Sequence, residues 1–188
     1  MKKFVFISSF LVAIMFAAVS CGGNDPVDYT LKDLDVLAGT YTGKCIITPS
    51  GSSVTPYTIE NASVRLVRTT AANTMALETG ESGLISQDIL SNFKSTTDET
   101  AYTFDIKGFD FKRTNISYIN QWFPATAWSN ISEVSVTVNS SNDARYTKSS
   151  KTLTFSYTAI GKFTATPIIG DPNPQTVNMK YSYTVVKQ

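Results

Sequence analysis

The stretch Val177-Asn178-Met179-Lys180-Tyr181-Ser182-Tyr183-Thr184-Val185 alternates apolar and polar side chains without a fault. A period of two puts Val177, Met179, Tyr181, Tyr183 and Val185 on one face and the polar residues on the other, as in a strand buried on one side only. The same period recurs along the chain. Tyr41, Gly43, Cys45 and Ile47 alternate with Thr40, Thr42 and Lys44; Val64 and Leu66 with Ser63 and Arg65; Met75 and Leu77 with Thr74, Ala76 and Glu78. It returns in Tyr102, Phe104 and Ile106, in Val134, Val136 and Val138, and in Leu153, Phe155 and Tyr157. One wet and one buried face favours antiparallel pairing.

With a further strand at 112–118, the pattern predicts about eight antiparallel strands. Turn chemistry separates them at Pro49-Ser50-Gly51, Ala71-Ala72-Asn73, Lys107-Gly108, Asn139-Ser140-Ser141-Asn142 and Gly170-Asp171-Pro172-Asn173-Pro174. Two segments read differently. Thr30-Leu31-Lys32-Asp33 fits a capped start, with Leu31, Leu34 and Leu37 on one face of one or two helical turns. Between Gly83 and Phe93, the spacing of Ile85, Ile89 and Phe93 predicts a short amphipathic helix. An eight-stranded sheet of this length closes naturally into a barrel, which removes its edges. A two-sheet sandwich shows the same alternation and is the alternative.

The N-terminus carries a different signal. Lys2 and Lys3 precede an apolar run from Phe4 to Val19, then Ala18-Val19-Ser20-Cys21 and the polar Gly22-Gly23-Asn24-Asp25-Pro26. A basic start, an apolar stretch and a small-residue cleavage site describe a secretory signal, shorter than the ~20 residues of a membrane-spanning helix. A cysteine placed directly after the cut resembles the lipobox of bacterial lipoproteins, which implies lipid on Cys21. The expected organisation is a lipoprotein signal peptide at 1–20, lipidated Cys21 with a tether and capped turn over 21–36, and a barrel domain over 37–188. The expected location is the cell envelope, by resemblance the outer membrane of a Gram-negative bacterium.

Leu37-Ala38-Gly39-Thr40-Tyr41-Thr42-Gly43-Lys44, a turn leading into Gly-x-Tyr on a first strand, resembles the start of a lipocalin or calycin barrel. In that family a Gly-x-Trp stands here, and its ring closes the base of the barrel; Tyr41 occupies the Trp position. With the lipobox and the run of strands, the chain is similar to calycin-like lipoproteins exported by gut anaerobes. The resemblance implies an antiparallel eight-stranded barrel at the envelope and little about activity.

Composition narrows the chemistry. Of 188 residues, 42% are apolar and 12% aromatic, enough for a real core, and the net charge is +1. Losing Lys2 and Lys3 with the leader would tip that balance slightly acidic, which gives no footprint for nucleic acid or a polybasic membrane patch. There is no histidine. Ser-His-Asp and Cys-His pairs therefore cannot be assembled, and the commonest zinc ligand and pH switch are missing. Cys45, in a strand, reads as a small buried side chain. Glu78 and Glu81, and Asp98 and Glu99, sit in turns rather than across a cleft as a glycosidase requires. Asp33 with Asp35, and Asn142 with Asp143, lack the frame of a calcium loop. Gly80-Glu81-Ser82-Gly83 is not a nucleophile elbow. The sequence thus predicts no catalytic residues, no metal and no cofactor.

The one aromatic surplus is Gln121-Trp122-Phe123-Pro124-Ala125-Thr126-Ala127-Trp128, which holds both tryptophans. Pro124 argues against a central strand. Trp122, Phe123 and Trp128 are the candidate contacts for a ligand or partner, or else a plug at one end of the barrel. The expectation is a non-enzymatic, lipid-anchored envelope protein that binds a small apolar ligand or a protein partner. A structural or assembly role is the first alternative, and a hydrolase of envelope or dietary polymers the second.

Overall fold

The computed structural model describes residues 31–50, 55–80, 83–113, 117–122, 128–129, 133–167 and 173–188. Its strands are β1 (Gly39–Pro49), β2 (Tyr57–Arg68), β3 (Met75–Thr79), β4 (Gly83–Ser95), β5 (Ala101–Ile106) and β6 (Phe109–Arg113). A helix, α1 (Ser117–Trp122), and β7 (Trp128–Ser129) follow, then β8 (Val134–Val138), β9 (Ser141–Thr147), β10 (Thr152–Pro167) and β11 (Asn173–Lys187). Among the described residues no helix is long and apolar enough to cross a membrane.

All pairings are antiparallel and the ring is closed: β11-β1-β2-β3-β4-β5-β9-β10, with β10 returning to β11. This is the barrel expected from the alternation. β1 lies between β2 and β11 over nearly its whole length, from Tyr41↔Lys187 to Pro49↔Met179 on one side. β6 and β8 prolong β5 and β9. Ile106↔Ser141 and Phe109↔Val138 keep one register, so each couple is a single strand bent at Lys107-Gly108 and Asn139-Ser140. Counted this way, eight strands follow one another around the barrel in chain order.

The eight strands found are not quite the eight expected. The segment 83–93 is strand, not helix. Two irregularities explain the misleading spacing: the β3–β4 ladder shifts between Met75 and Leu77, and the β4–β5 ladder shifts between Ser91 and Lys94, beside Asn92 at φ 56°. Each bulge advances the inward phase, so Ile89, Leu90 and Phe93 all point to the core. The strand expected at 112–118 is instead β6, which ends at Arg113, and from Ser117 the chain is helical. The turns expected at 107–108 and 139–142 are bends within strands, and β9 emerges where a reversal had been predicted.

The barrel encloses one core. Tyr41, Cys45, Ile47, Val64, Leu66, Leu77, Phe104, Phe155, Tyr157, Tyr181, Tyr183 and Val185 are all buried inside it. At the end bearing the β2–β3, β4–β5 and β9–β10 turns, residues 31–38 fold across the base. Leu37 and Ala38 donate their backbone N–H groups to the Leu34 carbonyl at 3.0 and 3.3 Å, one turn in place of the capped helix. Asp33 Oδ1 accepts from the Asp35 N–H at 2.9 Å. Leu34 and Leu37 are fully buried, worth roughly 1.5–3 kcal/mol each. The Leu31 N–H donates to the Phe93 carbonyl at 2.9 Å and Lys187 Nζ to the Val36 carbonyl at 2.8 Å, tying this turn to opposite walls.

Candidate functional site

The interior is the first place to look for a site, and it is filled with rings. Phe155 stacks on Tyr183 with centroids 4.5 Å apart, and Tyr157 stacks on Tyr181 at 5.0 Å. Phe109 meets the edge of Tyr157 at 5.7 Å. The pairs arise from register, because Phe155↔Tyr183 and Tyr157↔Tyr181 are directly opposed across β10 and β11. The crevice between Leu66, Leu77, Leu90, Phe104, Leu153 and Phe155 holds no space for a water molecule.

Polar tips in a core need partners, and three of the buried tyrosines show theirs. Tyr41 donates to the Leu37 carbonyl at 2.7 Å, and the Tyr157 and Tyr183 hydroxyls lie 3.4 Å apart. Burial, then the neighbouring Tyr157, pushes the Tyr183 hydroxyl well above its ordinary pKa; burial, then Tyr146, does the same for Tyr41. Both stay protonated donors at neutral pH. Cys45 is buried in β1, opposite Tyr183.

Of the candidate contacts, Trp122 is half-buried at the end of α1. Its Nε1 donates to the Thr55 carbonyl at 3.2 Å, and Gln121 Nε2 reaches the same oxygen at 3.0 Å. Ile119 on the same helix is fully buried. α1 therefore fastens the long β6–β8 connection to the β1–β2 connection at the loop end of the barrel. Phe123 lies outside the described residues. Trp128 is placed by its backbone in β7, opposite Pro167; its side chain, and Cys21, also lie outside the described part.

The carboxylates are dispersed. Glu78 pairs with Arg65 at 3.5 Å and Asp35 with Arg68 at 3.3 Å. Asp98 accepts from the Thr96 hydroxyl and then from the Thr100 N–H and hydroxyl, which hold its pKa down at about 2. Glu81 lies outside the described residues. Among the described residues, no three Cys, Asp or Glu side chains come together as metal ligands.

Among the described residues, two surface clefts are of a size to consider. One of about 400 Å³ runs between β8, β10 and β11, lined by Glu133, Ser135, Lys162, Thr164, Gln175 and Thr176. The other, of about 450 Å³, lies on the outer wall over β4, β5 and β9, lined by Ser91, Asn92, Asp105, Lys107 and residues 140–142. Sequence reasoning took 140–142 for a turn and passed over Asn92. The signal in the sequence is a polar pair, Ser91-Asn92, between the apolar Leu90 and Phe93.

Fold and interior together define the class: a closed antiparallel eight-stranded barrel packed with its own aromatic side chains. No family model, curated protein or solved structure matches the chain.

Proposed function

We propose that this chain is a non-enzymatic lipoprotein, held at the cell envelope by lipid on Cys21, whose barrel binds a protein partner through its outer surface. The observation that carries the choice of partner is the filled interior. A lipocalin-type carrier of small apolar molecules needs a hollow barrel, whereas here stacked rings occupy the space such a ligand would take. Recognition then falls to the outside, where the loop end bearing Trp122 offers an aromatic anchor of the kind enriched at binding hot spots. The calycin-like kinship belongs to the same proposal. Tyr41 supports it, since the ring is buried at the base and its hydroxyl is tied to Leu37, as the family resemblance implies for the aromatic on the first strand.

The anchor is tested by metabolic labelling with a fatty acid. Label should enter the wild type and not Cys21→Ser, and wild type alone should partition into detergent; a cleaved mutant that partitions equally would sink the anchor. The partner is tested by photo-crosslinking from position 122 in intact cells, with native mass spectrometry of the purified protein in parallel. A discrete crosslinked envelope protein supports the reading. A recovered apolar small molecule with no crosslinked protein replaces it with ligand transport.

A further inference from the structure

Two ladder irregularities and one bend meet at a single level of the barrel wall. The β4–β5 register shifts between Ser91 and Lys94, and the β5–β9 register between Phe104 and Ile106. Just beyond, the strands bend where Gly108 approaches the opposite strand so closely that a Cβ would lie 2.8 Å from the Val138 carbonyl oxygen. The outward result is the 450 Å³ cleft, within the size range of small-molecule sites. Bulges elsewhere in proteins serve to re-aim side chains.

Asn92 distinguishes this bulge from one that only curves the sheet. Its φ is 56°, a left-handed conformation that glycine adopts freely and that asparagine tolerates better than most residues. The chain carries a side chain there, and its Nδ2 donates to Asp105 Oδ2, fixing that carboxylate at the cleft.

We infer that this cleft binds a neutral saccharide. The lining explains the class. Asp105 and Lys107 balance in charge, so a free anion meets a carboxylate and a free cation meets an ammonium. Ser91 and Asn142 add groups that both donate and accept, and the Ser141 hydroxyl, whose proton goes to Asp143, can still accept. Neighbouring hydroxyls on a sugar do the same, and a fixed carboxylate can accept from two of them. This inference does not depend on the partner reading, which uses the loop end of the barrel and not its side wall.

The test follows backbone amide shifts of the isotope-labelled full chain during titration with glucose, galactose, mannose and N-acetylglucosamine at tens of millimolar. Sodium sulfate and calcium chloride are the charged controls. At least one sugar should give saturable shifts confined to residues 91–92, 105–107 and 140–142. Asn92→Gly keeps the left-handed backbone of the bulge, which glycine adopts freely, so it should fold about as well as wild type yet bind about tenfold more weakly, the equivalent of one good hydrogen bond. Asp105→Ala should weaken binding as much or more. The inference is overturned if none of the four sugars shifts these amides, if both variants bind as wild type does, or if only sulfate or calcium moves them.

Discussion

Asp143 takes the place of a strand partner for Ser156. Its Oδ1 accepts the Ser156 backbone N–H at 3.0 Å and its Oδ2 the Ser156 hydroxyl, while Ser141 donates to Oδ1 at 2.8 Å. β10 changes neighbours at this point: Thr152 to Thr154 pair with β9, and Ala159 to Lys162 pair with β8. The carboxylate covers a backbone donor that the broken ladder leaves over. Asp143→Ala should therefore cost about 1–3 kcal/mol, the usual loss when a hydrogen bond to a charged group is removed, read as a lower urea midpoint with unchanged slope.

Acid should expose the same group. Burial raises the Asp143 pKa, but the Ser156 side chain and backbone, Ser141 and the charge of Lys180 outweigh it and bring the net shift down. Asp98 is held at about 2. A folded pKa below the unfolded value of about 3.9 means stability is complete above that value and falls as pH drops toward the folded one. Thermal midpoints should thus decline between about pH 4 and 2, less steeply in the Asp98→Asn, Asp143→Asn double variant. Between about pH 6 and 8 they should stay level, because the sequence has no histidine.

Gly43 marks the tightest approach in the closing seam. A Cβ there would press on the Thr184 carbonyl oxygen and lie 2.8 Å from the Val185 Cα, both backbone atoms. Neither neighbour can swing aside as a side chain would. Gly43→Ala should cost about 3 kcal/mol or more, at the upper end of overpacking, whereas Gly80→Ala, with nothing nearer than 3.9 Å, should cost about 1 kcal/mol at most. Chemical denaturation of both variants gives the comparison.

Deleting the chain from Asn178 onward should abolish cooperative unfolding altogether. β11 pairs with β1 and with β10, so its loss opens two edges and removes Met179, Tyr181, Tyr183 and Val185 from the core. A truncated protein that melts cooperatively near the wild-type temperature would contradict the closed ring.

Trp122 is the remaining measurable fastening. Trp122→Ala should destabilise by about 2–3 kcal/mol, less than truncation of a fully buried large aromatic. Trp122→Phe keeps the packing and loses only the bond to the Thr55 carbonyl, for about 1 kcal/mol. Calorimetry of the two variants separates ring from hydrogen bond.

Most of the barrel was legible in single strands. Met179, Tyr181, Tyr183 and Val185, and Leu153, Phe155 and Tyr157, alternate in sequence and are buried as that alternation requires. The errors cluster at bulges. Alternation carries phase, and a bulge resets it, so Ile85, Ile89 and Phe93 imitate a helix while lying in β4. Asn139 to Asn142 carry turn chemistry that the fold spends on bending a strand rather than reversing it. The site was harder still. Trp122 stood out as an aromatic, but its hold on Thr55 joins residues far apart in the chain, and the outer cleft exists only where bulges on separate strands come to one level. Neither has a local signature.

The seam between β1 and β11 sets an order of events for the growing chain. The bond from Lys187 Nζ to the Val36 carbonyl joins residues 151 positions apart, and the ladder beside it is almost as distant. The first strand waits, with one edge unsatisfied, until the last has been delivered. Folds dominated by such remote pairings assemble slowly. The ring therefore cannot close on a partly synthesised chain: it locks only once β11 is free to pair with β1.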